Sequence, residues 1–176
     1  MKDKILVTGH RGFIGTHLSN HLNDVIKFDD SFELITIDGI DLCDANSVEK
    51  LPKVSFIIHL AAKTFIPESF VKPHEYYYNN VVSTLNILEK AKKDGANLIF
   101  LSTYIYGTPQ YLPVDESHVS QPMNPYTQSK VICEQLCEAY SRDFSLNVIA
   151  LRPFNIYGPG QSSNFFIPTI LSQLSQ

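Results

Sequence analysis

Short apolar runs alternate with longer segments of helical periodicity along this 176-residue chain. Runs typical of buried strands occupy residues 5–7, 33–37, 56–60, 98–101 and 148–151. Helical stripes occupy residues 13–26, 80–93 and 126–142. Near-continuous apolar strands separated by helices indicate a parallel sheet with helices on both faces. The pattern therefore predicts one doubly wound α/β domain over residues 1–176.

The second strand has two candidate positions. Residues 33–37 form one apolar run, which ends at Asp38, and residues 25–28 form another, which ends at Asp29. We prefer residues 33–37 because the preceding helical stripe continues through Val25 and Ile26.

Composition narrows the range of partners. The formal net charge of -4 predicts no general attraction to nucleic acid or to anionic membranes. No apolar run approaches the roughly 20 residues that span a bilayer. The first residues lack the apolar region and cleavage site of a signal peptide, so the cytoplasm is the expected location. Cys43, Cys133 and Cys137 have neither disulfide nor metal-site spacing, so we expect buried free thiols and no metal site.

Three glycines follow the first strand and open the first helix. Gly9 permits a sharp turn, Gly12 lets the backbone approach a pyrophosphate, and Gly15 lets the helix pack closely. The free N–H groups at the start of the helix would then face the phosphates. A doubly wound sheet with this turn is Rossmann-like, and its ligands bind outside the carboxyl ends of the strands. The sequence therefore predicts a dinucleotide site.

Two residues near the predicted adenosine site favour different cofactors. Asp38 at the end of the second strand could accept hydrogen bonds from the ribose hydroxyls and would repel a 2′-phosphate, which favours NAD. Arg11 in the turn could bind that phosphate in a forked geometry, which favours NADP, or could be a solvated turn residue. We expect NAD, with NADP as the alternative.

Tyr126 and Lys130 are four residues apart and share one face of the third predicted helix. A neighbouring ammonium and an oxidised nicotinamide would both favour the phenolate form of Tyr126. Tyr126 could then take a proton from a substrate hydroxyl, or return it to a ketone. Ser102, at the end of the fourth strand, could hydrogen-bond the substrate oxygen.

Seven segments, in order, have the form of known motifs. They are residues 8–15 (TGHRGFIG), 41–44 (DLCD), 59–62 (HLAA), 80–84 (NVVST), 102–107 (STYIYG), 125–130 (PYTQSK) and 152–160 (RPFNIYGPG). With these segments the chain resembles the extended short-chain dehydrogenase/reductases, specifically the NAD-dependent nucleotide-sugar epimerase/dehydratase group. The resemblance covers nearly the whole chain.

The resemblance implies roles for individual residues. Tyr126 is then the catalytic base, Lys130 its electrostatic partner and ribose ligand, and Ser102 the ligand of the substrate oxygen. Asp41 and Leu42 would lie by the adenine, Asn80 would support the cofactor site, and Asn155 would face the substrate. The cofactor set implied by the motifs is completed by Gly9, Arg11, Gly12, Phe13, Ile14, Gly15, Asp38, Leu60, Ala61, Ala62 and Pro153.

The residues after Ser102 bear on the type of reaction. Sugar-nucleotide dehydratases carry an Asp-Glu pair where this chain has Thr103 and Tyr104, so dehydration is not expected. Decarboxylases of the group usually carry Glu at the place of Tyr104. GDP-fucose synthases, which share the form of the glycine turn and depend on NADPH, carry Cys there. A 4-epimerase needs only Tyr126 and tightly held NAD, and Thr103 would then simply face the substrate.

Three hypotheses follow from these residues. The first is an NAD(P)-dependent nucleotide-sugar epimerase similar to UDP-glucose 4-epimerases, and the second is an NADPH-dependent ketoreductase of nucleotide sugars. The third is a dinucleotide-binding module without catalysis. Family members usually continue far beyond Gly160, so we expect the substrate lobe to be largely absent from this chain. The resemblance also implies a homodimer through a four-helix interface. Apolar residues along 81–91 and 131–140 are candidates for it, and they could equally pack on the sheet.

Overall fold

A five-stranded parallel sheet forms the centre of the molecule in a computed structural model, which describes residues 2–174. The strands are β1 (Asp3–Thr8), β2 (Phe32–Thr36), β3 (Phe56–His59), β4 (Asn97–Leu101) and β5 (Val148–Leu151). Their order across the sheet is β2-β1-β3-β4-β5, and every neighbouring pair is parallel. The chain therefore reverses direction across the sheet between β1 and β3, which is where doubly wound folds bind ligands.

Helices cover both faces of this sheet. They are α1 (Phe13–Ile26), α2 (Ala45–Glu49), α3 (Ile66–Val71), α4 (Pro73–Tyr77), α5 (Ser83–Asp94), α6 (Pro125–Phe144) and α7 (Phe166–Leu174), with a π-helical turn at Tyr78–Val82. Helix α1 packs on β1 and β2, whereas α5 and α6 pack on β3, β4 and β5. Crossovers between parallel strands are right-handed almost without exception. The crossover through α1 and those through α5 and α6 run in opposite directions across the sheet, so the two groups of helices lie on opposite faces. The predicted Rossmann-like architecture is confirmed.

The main hydrophobic core lies between the sheet and the helices α5 and α6. Ile87, Leu88 and Ala91 of α5 and Cys133 and Cys137 of α6 are buried in it. These positions were candidates for a dimer interface, and they pack inside the subunit instead. Dimerisation stays a prediction.

Several element boundaries differ from the sequence expectation. The preferred second strand is confirmed as β2, while the alternative at residues 25–28 overlaps the end of α1. The helix predicted from Asn80 begins at Ser83 as α5, because Asn80 lies in the π-helical turn before it. The short helices α2, α3 and α4 were not predicted. The sequence after Pro168 also predicts a helix that would continue to Gln176. The structure has α7 from Phe166, before Pro168, to Leu174, and the last two residues lie outside the described part of the chain.

The described part of the chain contains neither a membrane-spanning helix nor a cluster of metal-ligating side chains. No helix within residues 2–174 is long and apolar enough to cross a membrane. In the same range, no three His, Cys, Asp or Glu side chains lie close enough together to hold a metal ion. Cys133 and Cys137 are buried free thiols, and Cys43 is a free thiol that is partly exposed.

Candidate functional site

The glycine turn lies against the loop that leaves β3. Thr8 pairs with His59 in the sheet, so the chain leaves both strands at the same edge. Gly9 has φ +70°, and a Cβ there would lie 2.8 Å from the backbone nitrogen of Ala61. A Cβ on Gly15 would lie 2.1 Å from the carbonyl oxygen of Gly9. Only glycine fits these two positions, because any side chain would push the turn away from its neighbours.

The start of helix α1 offers free hydrogen-bond donors. Gly12 is the N-cap, donates its N–H to the Gly9 carbonyl at 2.9 Å, and has no side chain to cap the helix. The N–H groups of Phe13, Ile14 and Gly15 precede the first intrahelical bond, which Thr16 donates to the Gly12 carbonyl at 2.9 Å. Such a helix start, with its positive dipole end, suits a pyrophosphate. The residues predicted for this role are therefore placed together, and the role itself stays a prediction.

Charged residues meet beside this turn. The Asp38 carboxylate lies 2.7 Å from Arg11 Nε and 3.2 Å from His10 Nε2. Asp38, which favours NAD, and Arg11, which favours NADP, therefore form an ion pair.

The predicted adenine segment follows β2. Asp41 is exposed and accepts a hydrogen bond from the Cys43 N–H at 2.9 Å. Leu42 packs partly against the core, and its carbonyl accepts a bond from Asn86 Nδ2 at 2.8 Å. The structure therefore ties this segment to helix α5.

A capping box fixes the first turn of α6, which carries Tyr126. The side chain of Asn124 accepts the Thr127 N–H at 2.8 Å, the Thr127 hydroxyl accepts the Asn124 N–H at 3.3 Å, and Pro125 occupies the first turn. This arrangement holds Tyr126 at a defined place in the first turn of the helix.

Tyr126 is buried, and burial raises the pKa of its hydroxyl. The polar side chain of Thr103 opposes this and lowers that pKa. Thr103, predicted only as a substrate contact, is thus a partner of Tyr126.

Lys130 is a buried ammonium one helical turn away, 3% exposed, with Nζ 4.1 Å from the centre of the Phe100 ring. Burial lowers the pKa of Lys130 to about 8, against the smaller opposing effects of Cys133, Cys137 and Glu134. Within residues 2–174, Nζ has no hydrogen bond or ion pair. A buried cation without an acceptor fits a ligand with hydroxyl groups, such as the nicotinamide ribose.

Ser102, which follows β4, carries a second buried polar group without a partner, after the ammonium of Lys130. The Ser102 N–H donates to the Leu151 carbonyl at 2.7 Å, which holds the residue in line with β5. The Ser102 hydroxyl is buried and has no hydrogen-bond partner in the described chain. Buried polar groups are normally satisfied, so this hydroxyl also suits a bound ligand.

The remaining predicted substrate residues lie nearer the surface. Asn155 is exposed, and Pro153 is partly buried after β5. The Tyr104 hydroxyl donates to the Gly107 carbonyl at 2.7 Å, and its ring lies 5.0 Å from that of Phe154. Tyr104 therefore holds the loop after β4 in place.

The buried side chain of His59 joins the strand ends to helix α5. It was not predicted as a functional residue. The Thr84 hydroxyl donates to the Asn80 carbonyl at 2.7 Å, so its oxygen is free to accept from His59 Nε2 at 3.2 Å. His59 Nδ1 then accepts the Thr8 hydroxyl at 2.7 Å, and the Thr8 oxygen accepts the Ala61 N–H at 3.2 Å. Burial lowers the pKa of His59 to about 3, which keeps the imidazole neutral in this network.

Asn80, in the π-helical turn, connects the loop after β3 to helix α6. Its side-chain oxygen accepts the Lys63 N–H at 2.8 Å, and its nitrogen donates to the Lys63 carbonyl at 3.1 Å and to the Ser129 hydroxyl at 2.9 Å. Ser129 in turn donates to the Tyr126 carbonyl at 2.7 Å. Asn80 belongs to a motif that the sequence shows, but only the fold shows that it contacts Lys63 and Ser129.

Comparison with known proteins agrees with this geometry. The chain is 33% identical to GDP-6-deoxy-D-mannose reductase of Pseudomonas aeruginosa, over 100% of this chain and 60% of the relative. The structure of RMD from P. aeruginosa complexed with NADPH superimposes with a TM-score of 0.89 and 31% identity, covering 98% of this chain and 62% of that one. UDP-glucose 4-epimerase from Brucella ovis in complex with NAD gives a TM-score of 0.77 and 30% identity, covering 87% and 52%.

The chain thus spans between 52% and 62% of the length of these reductase and epimerase relatives. Residues 5–176 match the sequence model of a single family. The resemblance predicted from the motifs is confirmed, and the chain belongs to the NAD dependent epimerase/dehydratase family.

Proposed function

We propose that this chain carries the redox site of an NAD(P)-dependent nucleotide-sugar 4-epimerase, and that residues 1–176 form one cofactor-binding domain. The observation that carries this proposal is the pairing of a buried Tyr126 with the unpaired buried ammonium of Lys130 on the same helix face. An epimerase of this kind oxidises C4, lets the ketone turn, and returns the hydride to the opposite face.

The cofactor supplies the hydride acceptor when it is bound, and the residues of this chain fit it. The N–H groups of Phe13, Ile14 and Gly15 would bind the pyrophosphate, and Asp38 with Arg11 would bind the adenosine ribose. Lys130 would bind the nicotinamide ribose. The tight turn at Gly9 and Gly15 supports this assignment, because a Cβ at either position would meet backbone atoms and displace the start of α1.

The side chains at the substrate would move one proton. The Ser102 hydroxyl would hold the C4 oxygen, and Tyr126 would take the C4 hydroxyl proton during oxidation and return it during reduction. Asn155 would contact the nucleotide-sugar substrate from the segment after β5. Thr103 and Tyr104 supply no carboxylate for removing water, so the site favours simple oxidation and reduction.

A net reductase is the second candidate, because the match to a GDP-6-deoxy-D-mannose reductase and to an NADPH complex supports it. In that case Tyr126 would protonate the ketone oxygen and the reduced cofactor would be consumed. The absorbance of the reduced nicotinamide separates the two candidates, since an epimerase recycles its cofactor.

The test is turnover of UDP- and GDP-hexoses, and of the corresponding 4-keto sugars, by the wild type, Tyr126→Phe and Tyr78→Phe. Tyr78 is 52% exposed and serves as the matched control for loss of a tyrosine hydroxyl. We expect Tyr126→Phe to lower turnover by about 100-fold or more, as loss of a general acid–base group does, and Tyr78→Phe to leave it unchanged. Equal rates in all three would remove Tyr126 from the mechanism. Binding of cofactor without turnover of any of these sugars would instead support a non-catalytic module.

A further inference from the structure

A forked ion pair ties helix α6 to the end of β5. The guanidinium of Arg152, which follows β5, binds the Glu134 carboxylate, with Nε 3.0 Å from each carboxylate oxygen and Nη2 2.6 Å from Oε2. Its remaining nitrogen, Nη1, donates to the Tyr106 hydroxyl at 2.9 Å. The Glu134 side chain is only 11% exposed. Arg152 therefore binds both oxygens of a mostly buried carboxylate and joins it to the loop after β4.

This carboxylate lies on the helix face that carries the proposed catalytic pair. Tyr126, Lys130 and Glu134 are spaced by four residues, so they follow one another along one face of α6. A lysine and a glutamate at this spacing commonly form an ion pair. Within residues 2–174 no such pair forms, because both oxygens of Glu134 are bound by Arg152 and the Lys130 ammonium has no acceptor.

The fork limits what Lys130 senses of the Glu134 charge. Two opposite charges in a protein interior attract each other more strongly than in water. Burial nevertheless lowers the pKa of Lys130, and the opposing effect of Glu134 is smaller than those of Cys133 and Cys137. This small effect fits a carboxylate that Arg152 holds away from the ammonium.

We propose that Arg152 is a positioning residue, which holds Glu134 and thereby keeps the Lys130 ammonium free for the nicotinamide ribose. This inference rests on the proposed cofactor-binding function. Without the guanidinium, the Glu134 carboxylate is left in the interior without its partner, one helical turn from Lys130. The carboxylate then draws the ammonium along the helix, away from Tyr126, and the bound cofactor loses part of a charged contact.

The test is titration of purified protein with NADH and with NADPH at pH 7, followed by nicotinamide fluorescence. Arg152→Ala should weaken the binding of both by about threefold to thirtyfold, because a charged contact is weakened but not removed. Glu134→Gln should change neither constant by more than about twofold, since it leaves no carboxylate to compete for Lys130. The double variant should return to within about threefold of the wild type. A purely supporting role predicts instead that both single variants weaken binding and that the double variant is no better.

The pH dependence of NADH affinity is a second readout, which loss of support alone would not move. The titratable groups around Lys130 are His59 of β3 and Tyr126, Cys133, Glu134 and Cys137 of α6. Burial lowers the pKa of His59 to about 3, and it raises the pKa values of Tyr126 and of both thiols. Lys130, whose pKa burial lowers to about 8, is therefore the group of this set that changes charge near pH 8.

The wild type should thus lose NADH affinity above about pH 8, as Lys130 releases its proton. In Arg152→Ala the carboxylate of Glu134 favours the charged ammonium, so this loss should begin about one pH unit higher. The double variant should return to the profile of the wild type.

Lys90→Met is the matched control, because it breaks another buried ion pair, which Lys90 forms with Asp94 in α5. It should lower stability and change neither the dissociation constants nor the pH profile. If Arg152→Ala does not fold, Arg152→Lys with and without Glu134→Gln gives the same comparison, because lysine keeps the charge without the fork.

The inference is overturned if the variant at Arg152 binds as the wild type does, if Glu134→Gln weakens binding as much as Arg152→Ala, or if the double variant shows no recovery. Each of these results leaves cofactor binding by the wild type intact. Failure of the wild type to bind either dinucleotide would overturn the proposed function as well, which distinguishes the two failures.

Discussion

Replacing Lys130 with methionine should make the protein more stable while it weakens cofactor binding. The ammonium is buried over the Phe100 ring, and within the described chain it has no carboxylate or carbonyl to bond. The fall of its pKa from 10.5 to about 8 corresponds to about 3 kcal/mol of cost for holding the charge in the folded state. Methionine has a similar volume and no charge, so Lys130→Met should remove much of this cost at pH 7.

The same pKa predicts how the effect depends on pH. Between about pH 8 and 10.5 the folded protein has released the Lys130 proton while the unfolded chain still holds it. The unfolded state therefore binds more protons in this window, and the contribution of Lys130 to stability rises with pH. The stability advantage of Lys130→Met should be up to about 3 kcal/mol at pH 7 and should shrink steadily above pH 8.

Urea denaturation of the wild type and Lys130→Met at pH 7, 8, 9 and 10 measures the difference in their free energies of unfolding. The contributions of the other titrating groups largely cancel in this difference. Lys93→Met is the control, because Lys93 is 59% exposed, pairs with Glu49, and should change the free energy of unfolding by less than about 1 kcal/mol. Lys130→Met should also weaken NADPH binding, which fluorescence titration reports. A stability difference that stays constant from pH 7 to 10 would refute the assignment of Lys130 as an unpaired buried cation.

Three further predictions concern the supports of the site. Gly9→Ala should destabilise the fold by about 1–3 kcal/mol more than Gly95→Ala in urea denaturation, because both glycines have positive φ but only at Gly9 would a Cβ meet the backbone; equal losses would contradict the close approach. Asn80→Ala should cost about 1–3 kcal/mol and weaken NADPH binding, since it leaves the loop after β3 without two hydrogen bonds; unchanged binding would separate Asn80 from the cofactor cleft. Arg152→Ala should cost about 3–5 kcal/mol in thermal or urea unfolding, because it leaves the mostly buried Glu134 carboxylate unpaired, and the double variant with Glu134→Gln should recover part of that loss.

The strands and the main helices could be predicted because their burial leaves a regular pattern in the sequence. The choice of residues 33–37 over 25–28 rested on one continuous helical stripe, and β2 confirms it. The short helices α2 and α3 span only five and six residues, too few for a period to be recognised. The π-helical turn changes the spacing of side chains before α5, and no pattern of period 3.6 could have shown it.

The site was predictable where the chain itself sets the geometry. The glycine turn and the i, i+4 pair of Tyr126 and Lys130 depend on local spacing, and the structure places both as expected. Contacts between distant segments were not predictable in the same way. From the sequence, Asp38 favours NAD and Arg11 favours NADP, but their contact could not be foreseen. The pairing of β1 with β2 brings Arg11 Nε within 2.7 Å of the Asp38 carboxylate. The neutral histidine network likewise depends on three elements that meet only after folding.

The most direct test of the central claim is transfer of a labelled hydride. The protein is incubated with NAD⁺ or NADP⁺ and a nucleotide hexose that carries deuterium at C4, and the sugar products are analysed by mass spectrometry. The account predicts a C4 epimer that keeps its deuterium, because the hydride passes to the nicotinamide and returns to the same carbon, and a loss of about 100-fold or more in the rate of epimer formation for Tyr126→Phe with cofactor binding unchanged. Loss of the deuterium to solvent, or equal rates in both proteins, would contradict it.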